Sequence, residues 1–243
     1  MKQLKQAGFS MVEMAVVMII IGLLTSIVLV GQDMLEKSKG KAMLGEMQNL
    51  LQALAAFQEK YYYRPGDLVQ SSRYFTGDAA TDGNGNSRID TWQERNVMWP
   101  QLFQADFIQH NLSVTGAAAD RRIIGEHRPP SNVDSAGWTW LDNYAMDQAP
   151  LTGTYNFYDV LRLGGMPNSP GADGGEFFEN PVITLGNHRY VDTKVDSENT
   201  PISGKITVAE EACIRDDGSG NFLYATDESL LCTVNYVQEI VTP

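Results

Sequence analysis

Hydrophobic and polar positions divide the 243-residue chain sharply near its start. From Met14 to Gln32 no residue carries a charge, and the stretch includes Val16-Val17-Met18-Ile19-Ile20-Ile21 and Leu23-Leu24. A helix of that length covers roughly 28 Å, close to the hydrocarbon thickness of a bilayer. Beyond it the apolar residues thin to a period. Met43, Met47, Leu50, Leu51, Leu54, Phe57 and Tyr61 recur at steps of three and four, with Lys39, Lys41, Glu46, Gln52 and Gln58 between them. The two patterns join into one helix from Phe9 to Tyr61, about 80 Å long. Pro65-Gly66 ends it, because the residue before proline disfavours helix and Gly66 permits a turn. The rest, about 180 residues, makes a globule with a radius of gyration of about 16 Å. Such a head holds only the second half of the rod, so the first half needs lipid or other chains.

Ahead of the apolar run stands a short polar leader with Lys2 and Lys5 and no acid. The positive-inside bias keeps this end in the cytoplasm and sends the rest across, as a single span with an outward head. A secretory signal peptide fits poorly. Its apolar region is usually 7–15 residues and ends in small residues, whereas this run is longer and closes on Val28-Leu29-Val30-Gly31. A plain anchor leaves Glu13 unexplained. A lone carboxylate drawn towards the bilayer centre costs up to about 3 kcal/mol and requires a partner.

Gly8-Phe9-Ser10-Met11-Val12-Glu13, followed by the apolar run, resembles the processing signal of type IV prepilins and type II secretion pseudopilins. The resemblance implies that a prepilin peptidase cuts after Gly8 and that Phe9 becomes the N-methylated first residue of the mature chain. Glu13 is then the fifth mature residue and matches the family's acid. Cleavage leaves an ammonium on Phe9. Two unit charges 4 Å apart attract by about 4 kcal/mol at an effective dielectric near 20. A helical residue four further along faces along the axis, so Glu13 pairs better with Phe9 of a neighbouring subunit. The family implies that this pairing draws an incoming subunit into register.

The implied organisation is a leader (1–8), a transmembrane and assembly half-helix (9–32), an amphipathic half-helix packed on the head (33–62), and a pilin-like head (63–243). The fold class is α+β, with an antiparallel sheet on the second half of the long helix. Implied partners are the peptidase, sister pilin or pseudopilin subunits, and the inner-membrane assembly platform. The chain would start as a single-pass inner-membrane protein with a periplasmic head and end in a filament. Gly22, Gly31, Gly40 and Gly45 lie inside the helix, at up to about 1 kcal/mol each relative to alanine. Close helix packing and local melting in a filament both account for them.

In the head, Tyr61-Tyr62-Tyr63-Arg64-Pro65-Gly66-Asp67-Leu68 is similar to the aromatic-Pro-Gly-Asp turn after the long helix of such proteins. The run from Thr81 to Asp90 sets oxygen-bearing side chains at every second residue between glycines, which suits calcium. Against the EF-hand pattern, Asp82, Asn84 and Asn86 fill the first ligand positions, Arg88 the carbonyl position and Asp90 the ninth. Ser87 stands where that pattern has glycine, and Gln93 where it has the bidentate glutamate, with Glu94 one residue late. A metal-free Asn-Gly turn cluster is the competing reading.

The pattern further predicts a helix over 92–109, either kinked at Pro100 or starting there, strands over 138–144, 155–163, 206–209 and 231–241, a Gly/Pro-rich loop over 164–175, and a short β-prone piece at 182–185. A short helix is expected over 188–195, and Asp216 to Asn221 as the turn between the last two strands or as a second cation site. Trp138 and Trp140 on one strand face read as core, with a sugar-binding face as the alternative. Asp192-Thr193-Lys194-Val195-Asp196 followed by Pro201-Ile202-Ser203-Gly204 resembles a stretch of larger pilin-like proteins, and reads chemically as a surface ion pair.

Composition excludes several functions. Thirty acidic residues against 18 basic ones give a net charge of −12, the opposite of what a general nucleic-acid binder needs. Cys213 and Cys232 are the only cysteines. On an exported head they are expected as a disulfide, worth roughly 3 kcal/mol for a loop of about 20 residues. Walker, zincin, nucleophile-elbow and dinucleotide signatures are absent, which points away from an enzyme. His110, His127 and His188 are scattered singly and read as surface or capping residues.

Overall fold

The computed structural model describes residues 10–113, 123–141, 159–165, 180–196, 201, 205–208, 211–219 and 222–238. Helix α1 (Met11–Tyr61) runs without a break through both sequence patterns. The chain divides into two compact units between Ser38 and Lys39. In the first, every apolar side chain from Met11 to Val30 is exposed. In the second, Met43, Met47, Leu50, Ala53 and Phe57 are buried at steps of four and three, and form one side of the main core. The helix stops at Tyr61 because Tyr62 takes a left-handed conformation (φ 62°), three residues before Pro65.

Buried Gly66 follows at φ 92°, and a Cβ there would lie 2.4 Å from the Glu94 carbonyl oxygen. Only glycine allows that approach. It brings the turn against α2 (Trp92–Gln104), which opens on a capping box: Thr91 Oγ1 accepts from Glu94 N–H, and the Glu94 carboxylate accepts from Thr91 N–H. Pro100 lies inside this helix. The helix was expected to reach Gln109 and ends five residues earlier. Asp106 turns left-handed (φ 64°), and Phe107 and Asp106 donate to the carbonyls of Leu102 and Phe103, a Schellman stop.

The other described elements are β1 (Ala136–Leu141), β2 (Asp159–Gly165), β3 (Ile183–Thr184), α3 (Leu185–Val195), β4 (Ile206–Thr207), β5 (Ile214–Asp216), β6 (Phe222–Tyr224), β7 (Leu231–Cys232) and β8 (Val234–Gln238). Four of them form an antiparallel sheet in the order β1-β2-β8-β4. Trp138, Leu163 and Val234 stand in register, as do Trp140, Leu161, Tyr236 and Ile206. All face the core built on α1, so the two tryptophans are core residues. The alternate positions Thr139, Arg162, Asn235 and Thr207 form a polar row across the other face, and they too are buried. There Arg162 Nε donates to Asn235 Oδ1 at 2.7 Å. Arg64, just past α1, pairs with fully buried Asp159 at the start of β2 and ties the turn to the sheet.

β2 continues through Gly164 and Gly165, which the sequence assigns to a loop, because both pair with β1. The strand expected over 231–241 is two pieces, β7 and β8, pairing with different partners. The turn expected over 216–221 is flanked by its own hairpin, β5–β6. Residues 142–144, 155–158, 209 and 239–241 of the expected strands lie outside the described residues, as do 166–175 of the expected loop and 220–221 of the expected turn.

Two expectations fail for one reason. His188 was expected at the surface or at a cap and is fully buried. Asp192 was expected in a surface ion pair and is fully buried as well. α3 is covered on that side by the β5–β6 hairpin, so Tyr224 Oη donates to Asp192 Oδ2 at 2.7 Å. Asp196 accepts from the backbone N–H groups of Lys205 and Ile206 and fixes the start of β4. His127 is likewise buried, whereas His110 is exposed as expected.

Candidate functional site

The exposed half of α1 is the feature the head alone does not explain. Its apolar side chains cover the whole circumference from Met11 to Val30, far beyond the few hundred Å² of contiguous apolar surface that a soluble monomer exposes. Its polar atoms are already satisfied. Thr25 Oγ1 donates to the carbonyls of Ile21 and Gly22, and Ser26 Oγ to that of Gly22. Hydroxyls bonded to their own helix are compatible with hydrocarbon. Among the described residues this is the one helix long and apolar enough to cross a membrane.

At its start Glu13 Oε2 accepts from Ser10 N–H at 3.1 Å, and Ser10 Oγ accepts from Val12 N–H at 3.2 Å. Ser10 and Glu13 thus cap the first turn, which a Ser-x-x-Glu spacing before an apolar run signals in the sequence. A negative charge there also meets the positive end of the helix dipole. The acid therefore has a partner in its own chain, one residue from the position where cleavage would place an ammonium. Gly8 and Phe9 lie outside the described residues.

Of the four helical glycines, Gly40 is packed against α3: a Cβ would meet Asn187 Oδ1 at 2.9 Å and Tyr190 Cδ1 at 3.0 Å. Gly22, Gly31 and Gly45 have nothing within 4 Å of that position. Close packing thus accounts for one glycine within the chain.

In the head, the loop from Asp82 to Asp90 is organised by two acids outside the expected ligand set. Asp67, fully buried, accepts from the N–H groups of Gly85, Asn86 and Ser87. Its burial pushes the carboxyl above its ordinary range. Those three donors oppose the shift, and the nearby Glu94 charge adds to it. Glu94 accepts from the N–H groups of Asn84, Asp90 and Thr91. Asp90 receives the amide groups of Asn84 and Asn86, at 3.1 and 2.7 Å on separate oxygens. Burial raises its carboxyl, but these two amides, Glu94 and the Arg88 charge outweigh it and hold the group below its usual range. Asp82 Oδ1 accepts from Ser71 N–H. The five predicted ligands thus lie in one loop, with Asn84 and Asn86 gathered on Asp90. Among the described residues no group of three or more His, Cys, Asp or Glu side chains is placed to hold a metal ion.

Cys213 and Cys232 form a disulfide (Cα–Cα 6.4 Å) that closes the loop carrying the β5–β6 hairpin. Glu46, which the sequence places on a solvated helix face, instead accepts from Ser131 Oγ, Asn132 N–H and Trp138 Nε1. It holds the approach to β1 against α1.

A long apolar-to-amphipathic helix with an acid in its first turn, followed by an α+β head with an antiparallel sheet, is consistent with a pilin-like fold. Residues 3–29 match the family model described as the prokaryotic N-terminal methylation motif, so the chain carries a type IV prepilin-like signal. No curated protein and no solved structure matches it.

Proposed function

We propose that the chain is a structural subunit of a type IV pilus or type II secretion pseudopilus, cleaved between Gly8 and Phe9, methylated on Phe9 and assembled through α1. The observation that carries this reading is the methylation motif on a helix whose outer half is wholly exposed and apolar. The inner membrane covers that half before assembly, and neighbouring subunits cover it afterwards. Glu13, which caps its own helix here, then exchanges that bond for the ammonium of an adjoining Phe9. The prepilin peptidase and the inner-membrane assembly platform are the partners this route requires. The second reading is a minor pilin, which the size of the head, about 180 residues, favours by analogy, or a membrane-tethered module whose head binds sugar, DNA or secreted cargo.

Within the head we propose calcium at Asp82, Asn84, Asn86, Arg88 and Asp90. The set is rich in hard oxygens, and a cation beside Asp90 would be met by the two asparagine carbonyls once their amides rotate. The assembly reading is tested by shearing filaments from cells that express tagged copies. Wild type is expected in the sheared fraction and Glu13→Ala only in the membrane, with both cleaved. Equal incorporation of the two would refute the pairing.

A further inference from the structure

Asn84 and Asn86 are held in the same way within the Asp82–Asp90 loop. Asn84 Oδ1 accepts from the N–H of Asn86 at 2.9 Å, and Asn86 Oδ1 from the N–H of Arg88 at 2.9 Å. Each side chain is thereby folded back over the peptide bond that follows it. Their amide groups donate to Asp90, Asn84 to Oδ1 and Asn86 to Oδ2. The N–H that follows each asparagine points at Asp67: Gly85 meets Oδ1 at 2.6 Å and Ser87 meets Oδ2 at 2.7 Å. Only the next residue distinguishes the two positions. Gly85 and Ser87 share a left-handed backbone, with φ 73° and 67°, but Ser87 carries a Cβ beside its nitrogen and Gly85 does not.

An asparagine amide carbon is an electrophile, and the next peptide nitrogen closes a five-membered imide on it once relieved of its proton. Three features speed that closure. They are a base on the N–H, a donor where charge develops on the amide oxygen, and little bulk beside the attacking nitrogen. At Asn84 the base is Asp67, the oxygen's donor is Asn86 N–H, and the unhindered nitrogen is that of Gly85. Asn86 has the first two features and lacks the third. Asp67 is fully buried and so fixed in place, whereas Asn84 is exposed to the water that hydrolysis needs.

We propose that Asn84 is a self-modifying site, converted through a cyclic imide to an acidic residue with Asp67 as the base. The Gly85 nitrogen bonds to Cγ of Asn84 as its proton passes to the Asp67 carboxylate. The Cγ–Nδ2 bond then breaks, and that proton, relayed through solvent water, leaves with the nitrogen as ammonia. Water next adds to the imide. Breaking the new Cγ–N bond restores the main chain and leaves aspartate, whereas breaking the bond to the main-chain carbonyl leaves isoaspartate. One water enters, one ammonia leaves, and nothing is oxidised or reduced. Isoaspartate would add a carbon to the chain just before Gly85, so Asp67's hold on three successive N–H groups favours aspartate.

The product replaces an amide donor 3.1 Å from Asp90 Oδ1 with a second negative charge. Like charges so close repel, which weakens the loop's closure on its own amides. The proposed calcium set would then hold three carboxylates instead of two, which suits a hard cation better. That consequence rests on the calcium reading, whereas the conversion does not.

The test follows the full chain in detergent micelles at neutral pH, beside the same chain unfolded in urea, by peptide mass spectrometry. Folded, Asn84 should gain one mass unit about tenfold faster than in urea. A positioned base contributes roughly 10²–10⁴-fold, and the cost of turning a held amide onto the nitrogen offsets part of it. Asn86 should keep its amide over the same period. Asp67→Asn, which keeps an acceptor oxygen but is no base, should lose the acceleration, and it supplies the contrast if wild type is isolated already converted. If that variant misfolds, the comparison with urea stands without it. Conversion no faster folded than unfolded, equal conversion in Asp67→Asn, or Asn86 converting as fast as Asn84 overturns the site. For the consequence, calcium should raise the Tm of Asn84→Asp more than that of Asn84→Gln. Equal responses refute the link to calcium, while the mass gain alone decides the conversion.

Discussion

Gly40 and Gly45 are both glycines in one helix and should respond oppositely to alanine. Gly45 has open space around its missing Cβ, so Gly45→Ala gains helix propensity, up to about 1 kcal/mol. At Gly40 the added carbon meets Asn187 and the Tyr190 ring, and overpacking of this kind costs about 1–3 kcal/mol. Urea unfolding should therefore show Gly45→Ala stabilised and Gly40→Ala destabilised; the same sign for both would contradict the close packing of α3 on α1. The sequence leaves these two glycines equivalent, because the partner of Gly40 lies nearly 150 residues further on. Asp67 illustrates the same limit. Its place in a Pro-Gly-Asp turn is visible in the sequence, but its three backbone donors come from residues 85–87. Asp67→Ala leaves those N–H groups without their acceptor and should lower head stability by about 2–4 kcal/mol. Asp67→Asn, which retains one acceptor oxygen, should lose less; a loss under half a kcal/mol in both would show that the carboxylate does not organise the loop.

Elements with strong local signals follow the sequence closely. α1 ends at the last periodic aromatic, Tyr61, and β1 and β2 bury the tryptophans and leucines that mark them. Elements whose ends are set by backbone geometry do not. α2 stops at a left-handed Asp106 that carries no composition signal, and the Gly164-Gly165 pair reads as loop until β1 is seen beside it. The buried His188–Tyr224–Asp192 group was illegible because it joins α3 to a hairpin some 30 residues away. The Asp82–Asp90 loop was legible as a run of oxygen-bearing side chains, whereas its supports, Asp67 and Glu94, were not. Calcium there predicts that a chelator lowers the Tm of the purified protein and that Asp82→Ala abolishes the response. An identical Tm with and without chelator would leave the loop closed by its own amides. Reduction of the Cys213–Cys232 bridge is expected to cost roughly 3 kcal/mol in a loop of this length and to loosen the β5–β6 hairpin first. Proteolysis before and after reduction locates the first cut; a first cut in the main sheet would contradict the order.

Across the whole chain, the exposed apolar half of α1 has no stable place in water, while the head from Lys39 onwards has a continuous core of its own. Lipid would cover such a segment, and in the proposed assembly neighbouring copies of the same helix would take the place of lipid. Glu13 accepts at its own helix start, and in the proposed assembly it becomes the counter-charge for an adjoining amine. The account rests on the creation of that amine. Intact-mass and N-terminal sequence analysis of the protein from cells with and without prepilin peptidase tests it most directly. With the peptidase, the chain should begin at a Phe9 that carries one methyl group; without it, at Met1. A chain that still begins at Met1 where the peptidase is active would contradict the account.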